Sequence, residues 1–187
     1  MRSPPGRKCT QSGAHGPAVV AFEQRLRELH YALRDTGGVF DDDDQEAVYA
    51  FQQVNGLAPT GVVTPGLWAR LVHAGVPRAR YGGDHVEVDK TRQVLFLVRK
   101  GEVALVSHVS TGATGNTPVG LWHVYSKVPG WSWVLWYPSY FLRGFAIHGY
   151  PEVPPYPASH GCVRIPMWLA PGLYTQIPTG SAIYIYL

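Results

Sequence analysis

The hydrophobic period changes once along this chain, near residue 80, and no single regular architecture accommodates both halves. Val19, Phe22, Leu26, Leu29 and Leu33 recur at three- and four-residue steps, which predicts an amphipathic helix ended by Gly37 and Gly38. The run DDDDQEAVYAFQQVNG predicts a second helix. Its aspartates suit orphan N–H groups and the positive end of the helix dipole, and Gly56 suits its C-terminal cap. Ala47, Val48, Phe51 and Val54 form its buried face. Thr64-Pro65 starts a short third helix, with Leu67, Trp68 and Leu71 inward and Gly75 as its stop. Beyond residue 80, β-branched and aromatic residues alternate or run together. Strands are expected at His85–Asp89, Val94–Arg99, Val103–Ser110, Gly120–Lys127, Phe145–His148 and Ala182–Leu187, with a helix at Met167–Gln176. The expected fold class is two domains, a small three-helix bundle followed by a mostly-β domain. The boundaries are a flexible N-terminal tail at 1–17, the helical domain at 18–76, a linker at 77–84 and the second domain at 85–187.

Charge and composition remove several classes of function. The net charge is only +3 and its positive residues are scattered, so nothing argues for nucleic acid. No run of about 18 apolar residues exists, so no transmembrane helix is expected. The start, MRSPPGRKCTQSGAHGP, is basic but lacks a following apolar region, so no export signal is visible. Asp41 to Asp44 lack the alternating ligands, central glycine and terminal glutamate of a calcium loop, and helix capping explains them better. The two cysteines, Cys9 in the tail and Cys162 in a glycine-rich loop, make no disulfide framework.

The stretch IHGYPEVPPYPASHGCVR, Ile147 to Arg164, carries the chemistry. A thiol attacks carbonyl carbon only as thiolate, so a catalytic cysteine needs a neighbour that takes its proton. His148 ends a predicted strand and Cys162 follows fourteen residues later, so two strand-like segments joined by a proline-rich loop would bring them together. Gly161 permits a tight turn, and N–H groups around Gly161 and Cys162 would face a developing oxyanion. His160 reads equally as a catalytic partner and as a packing histidine. The aromatic run WSWVLWYPSYF, too irregular for one strand, is expected to form a lid in which Trp131, Trp133, Trp136 or Tyr137 touches substrate.

These motifs resemble a known pair of domains. IHG and SHGCVR, preceded by VSTGATGNTPVGLWHVYSK, resemble the L,D-transpeptidase catalytic domain, also called the YkuD domain, from about Val86 to the C-terminus. GVFDDDDQEAVYAFQQVNGLAPTGVVTPGLWARL resembles the three-helix peptidoglycan-binding domain. The resemblance implies Cys162 as nucleophile, His148 as its base, and the carbonyl of Gly149 as the group that holds the imidazole tautomer. It implies Ser159 and His160 as shapers of the nucleophile loop, Gly161 and Cys162 as oxyanion donors, and Arg164 as a holder of that loop or of a substrate carboxylate. Gly149 and Arg164 stand where other members have serine and asparagine, and the interval from His148 to Ser159 is short for the family. Substrate-binding residues expected on this reading are Ser159, Arg164, Trp131, Trp133, Trp136 and Tyr137.

The implied reaction is attack on a peptidoglycan tetrapeptide stem, release of D-Ala, and transfer of the acyl group to a diaminopimelate-type amine as a 3→3 cross-link. Carbapenem β-lactams are implied as covalent inhibitors, no metal or cofactor is called for, and the location is extracytoplasmic, in the cell wall or periplasm. Water as acceptor would make the site an L,D-carboxypeptidase. A zinc peptidase or amidase lacks a visible ligand motif, and an inactive wall-binding protein would have no reason to keep both His148 and Cys162.

Overall fold

The computed structural model describes residues 13–187, so Cys9 and most of the expected tail lie outside the described residues. The chain divides into two compact units between Pro77 and Arg78.

The first unit holds α1 (Pro17–Glu28), α2 (Asp42–Val54) and α3 (Pro65–His73). α1 ends nine residues before Gly37, earlier than its hydrophobic stripe predicts. His30 takes a left-handed conformation (φ 68°), its N–H donates to the Arg27 carbonyl and the Tyr31 N–H to that of Leu26. That pattern closes a helix and turns the chain back. Leu29 and Tyr31 are buried in the turn, so a packed turn continues the apolar pattern that a further helical turn would show. At α2 the Asp41 carboxylate accepts from the Asp43 and Asp44 N–H groups, while Asp44 accepts from the Asp41 N–H, a reciprocal capping box. Thr64 caps α3 through the Leu67 N–H at 3.1 Å. Phe22, Leu26, Phe40, Val48, Phe51 and Leu71 form the core of this unit.

The second unit is mostly β. One sheet orders β3 (Glu102–His108), β2 (Val94–Arg99), β1 (His85–Asp89), β10 (Ala182–Tyr186) and β4 (Gly120–His123). The other orders β5 (Ser126–Lys127), β7 (Leu135–Leu142), β8 (Phe145–Tyr150) and β9 (Val163–Pro166), with β6 (Trp131–Ser132) paired to β7. A short helix, α4 (Ala170–Gln176), follows β9. β7 and β9 were not expected. Proline at 138 and the shifted register between Trp136 and Ser139 break the alternation that marks a strand. β9 is only four residues long.

Residues expected as a linker are tied to this unit beyond Pro77. The buried Glu87 carboxylate accepts from the Arg80 N–H (2.8 Å), the Tyr81 N–H (2.9 Å), the His85 Nε2 (2.8 Å) and the Tyr186 hydroxyl (2.9 Å). Tyr81 stacks on Tyr184 with ring centroids 4.0 Å apart. A carboxylate at β-strand spacing from His85 thus serves as the anchor of the incoming chain.

Candidate active site

Strands β8 and β9 run parallel, with Ile147 opposite Val163, His148 opposite Arg164 and Gly149 opposite Ile165. Lateral partners share a face of the sheet and successive residues alternate, so His148, Tyr150 and Arg164 project to one side. Cys162 lies just before β9, with its Sγ 3.8 Å from the Gly144 carbonyl and a backbone hydrogen bond to it from Ala146 of β8. Ile147, Val163 and Ile165 point to the other, where all three are buried. The parallel pairing therefore brings the cysteine at the start of β9 beside β8, the strand that carries His148, although they come from separate segments.

The histidine is set by its own strand. His148 is buried and its Nδ1 lies 2.9 Å from the Gly149 carbonyl oxygen. A carbonyl only accepts, so Nδ1 carries the hydrogen of the neutral ring and Nε2 keeps the lone pair. Burial pushes the His148 pKa down to about 4; the Gly149 hydrogen bond opposes this, and the Arg164 charge adds to it. Burial pushes the Cys162 thiol up, offset in part by a backbone hydrogen bond from Ala146 and by the Arg164 charge. At neutral pH the pair rests as imidazole and thiol. Arg164 stacks its guanidinium 4.0 Å above the Tyr150 ring and makes no ion pair among the described residues.

The loop that carries the cysteine is fastened by side chains from the STGATGNTP segment. Asn116 Nδ2 donates to the His160 carbonyl at 2.6 Å and Thr117 Oγ1 to that of Gly161 at 2.8 Å. Ser159 Oγ donates to the Cys162 carbonyl at 2.6 Å and accepts from the Gly161 N–H at 3.0 Å. Gly161 has φ 131°, and a Cβ there would fall 2.2 Å from Phe145 Cε1, so both backbone and space require glycine.

Three expectations change against this geometry. The Gly161 N–H is committed to Ser159 Oγ, which leaves it out of an oxyanion hole. The Ser159 hydroxyl is buried, donates its hydrogen to the Cys162 carbonyl and accepts from the Gly161 N–H, so its donor is spent on shaping the loop. The aromatic lid does not form as expected. Trp136 is the lateral partner of Gly149 and sits 3.2 Å, at its Cβ, from where a Gly149 Cβ would be, which places it on the face turned from His148. Trp131 packs on Trp136 at 4.9 Å, and Tyr137 meets Trp136 at 4.7 Å and Tyr174 of α4 at 5.2 Å. Trp133, at the hairpin tip, is 90% exposed. His160 is exposed, and its contribution to the loop is its backbone carbonyl.

Asn116 and Thr117 went unassigned in the sequence. The TP within the glycine-rich segment was visible, but a hydroxyl that ties two loops has no local signature.

The L,D-transpeptidase catalytic domain pattern, YkuD, matches residues 83–185. The chain belongs to the YkuD L,D-transpeptidase family. The peptidoglycan-binding domain pattern matches residues 15–71. An L,D-transpeptidase structure from Xylanimonas cellulosilytica is 34% identical, with a TM-score of 0.91 over 98% of this chain and 100% of that one. An L,D-transpeptidase from Stackebrandtia nassauensis shares the fold at 24% identity, TM-score 0.55, over 95% of each chain. An L,D-transpeptidase solved in complex with imipenem matches at 20% identity, TM-score 0.50, over 56% of this chain and 59% of that one. No curated protein sequence matches the chain. The chain thus carries an L,D-transpeptidase catalytic domain preceded by a peptidoglycan-binding domain.

Proposed function

We propose that this protein forms 3→3 cross-links in peptidoglycan through a thioester on Cys162. The observation that supports the reading is the parallel β8–β9 pair, in which His148 lies opposite Arg164 just beyond Cys162 and the His148 Nδ1 lies 2.9 Å from the Gly149 carbonyl. His148 Nε2, the nitrogen with the lone pair, takes the thiol proton as sulfur attacks the carbonyl between the third stem residue and D-Ala. The sulfur–carbon bond forms, the peptide C–N bond breaks, and the departing D-Ala amine takes the proton from His148. An amine on a second stem then attacks the thioester, His148 accepts its proton, and the Cys162 thiol is restored.

A neutral resting pair suits this sequence, because each half reaction begins with a proton acceptor on His148. Arg164, unpaired by any carboxylate among the described residues and stacked on Tyr150, serves to hold a substrate carboxylate. Burial of the substrate's own polar groups would complete a site that the free chain leaves half-open at Cys162. The helical unit brings the enzyme to the wall, and the reaction is extracytoplasmic because its polymer is. The same thioester hydrolysed by water would give an L,D-carboxypeptidase.

The test is intact-mass spectrometry with imipenem, followed by product analysis with a tetrapeptide donor with and without an acceptor amine. A single adduct on the wild type, absent from Cys162→Ala, and an amine-dependent dimer are expected. A folded wild type that gains no adduct would refute the thioester. Free tripeptide as the sole product, even with acceptor present, would shift the activity to carboxypeptidase.

A further inference from the structure

The N–H expected from Gly161 is spent inside the loop, so the question is what aims the remaining donor. The peptide between Gly161 and Cys162 is trans, as are all those of the described residues. In a trans peptide the C=O and the N–H point in opposite directions. The Gly161 carbonyl is held by Thr117 Oγ1 at 2.8 Å, so the Cys162 N–H points away from Thr117. That N–H keeps no hydrogen-bond partner among the described residues.

Thr117 is unusually well placed to set this plane. It is 1% exposed, and its Oγ1 also accepts the Gly112 N–H at 2.8 Å, so the hydroxyl proton is committed to the Gly161 carbonyl. Its own carbonyl and that of Gly115 are held by Lys90 Nζ at 2.5 and 2.8 Å. The flanking peptides are fixed as well, through Asn116 on the His160 carbonyl and Ser159 on the Cys162 carbonyl. Three consecutive carbonyls are thus tied by side chains, and only the middle tie orients the plane that carries the Cys162 N–H.

We propose that Thr117 is a positioning residue that aims the Cys162 N–H at the oxyanion formed when Cys162 is acylated. This rests on the thioester reading of the site. Thr117 touches no reacting atom; it acts through the Gly161 peptide.

Two reactions of the same sulfur separate this role from a structural one. Imipenem acylation passes through an oxyanion: the sulfur–carbon bond forms, the lactam C–N bond breaks, the lactam nitrogen takes the thiol proton, and the whole mass is retained. Alkylation by iodoacetamide forms a sulfur–carbon bond as iodide leaves, and no oxyanion arises. In Thr117→Val, which keeps the shape and loses the donor, acylation by imipenem should slow about 10- to 100-fold. Alkylation should stay within about threefold of wild type with an unchanged pH midpoint, and Thr117→Ser should acylate near the wild-type rate. Acylation of Thr117→Val at the wild-type rate, or an equal loss in both reactions, would overturn the proposal. Should Thr117→Val not fold, Thr117→Ser decides it, since a tenfold loss of acylation with the hydroxyl retained would overturn it and near wild-type acylation would support it. A wild type without any imipenem adduct would instead defeat the thioester reading on which this stands.

Discussion

Replacing Gly161 with alanine tests whether the nucleophile loop is as tightly specified as its contacts indicate. The added Cβ would sit 2.2 Å from Phe145 Cε1, 3.0 Å from Phe145 Cδ1 and 3.3 Å from Asn116 Nδ2, at a backbone φ of 131°. Two separate costs follow. Holding an L-residue in that backbone region costs about 1–3 kcal/mol. Forcing the Phe145 ring or the loop to give way costs about 1–3 kcal/mol more. Gly161→Ala should therefore lose about 2–6 kcal/mol of stability in the second unit, and acylation should fall with it because the loop is displaced from Thr117 and Asn116. Hydrogen exchange on the full chain would read the loss unit by unit. The double variant Phe145→Ala/Gly161→Ala splits the two costs: it should recover the steric part, a coupling of about 1–3 kcal/mol, and leave the backbone part. A Gly161→Ala protein that matches the wild type in exchange protection and in imipenem acylation would refute the reasoning. So would a double variant whose losses simply add.

Other outcomes follow from single groups. His148→Gln should lower acylation about 10²- to 10⁴-fold while Cys162 remains alkylatable, and an unchanged acylation rate would remove His148 as base. Because the His148 pKa is lowered from 6.5 to about 4, its neutral form stabilises the second unit above pH 6.5, and that contribution of about 3 kcal/mol is lost as pH falls through 4. Exchange protection of the second unit should show the decline, and His148→Gln should flatten it. The first unit should respond in the opposite sense, since burial raises Asp43 to about 6 and Asp44 to about 7. Stability from these two is fully present below pH 3.8 and is lost as pH rises through 6 to 7, so Asp44→Asn should stabilise the first unit at pH 8 and not at pH 4. Glu87→Gln should cost about 1.5–3 kcal/mol and make residues 78–84 cleavable by a protease, because it weakens the bonds that hold Arg80 and Tyr81; unchanged proteolysis would show that aromatic stacking alone holds them.

What the chain's order of residues determines here is local. The step from a helical to a β period near residue 80, the Asp41 and Thr64 caps and the Gly56 stop are contacts between residues a few positions apart, and they read directly. The His148 and Cys162 motifs also read directly as a resemblance to the YkuD domain, whose family pattern matches residues 83–185. Longer-range choices did not. Leu29 continues the α1 stripe whether the helix runs on or turns back at His30, because burial imposes the same apolar pattern on both. The aromatic run reads as a lid until the Trp136–Gly149 pairing turns Trp136 to the far face, and register is a property of two strands, not one. The Gly161 N–H looked free because its acceptor is the Ser159 hydroxyl, whose direction depends on the turn itself. Thr117 reaches Gly161 across 44 positions in the chain, a contact that exists only once the Ser110–Arg164 and Gly112–Ser159 bridges bring the two loops together. The motif residues are written in the chain; the direction of the peptide groups beside them is a consequence of tertiary packing, because a peptide plane is oriented by whatever binds its carbonyl.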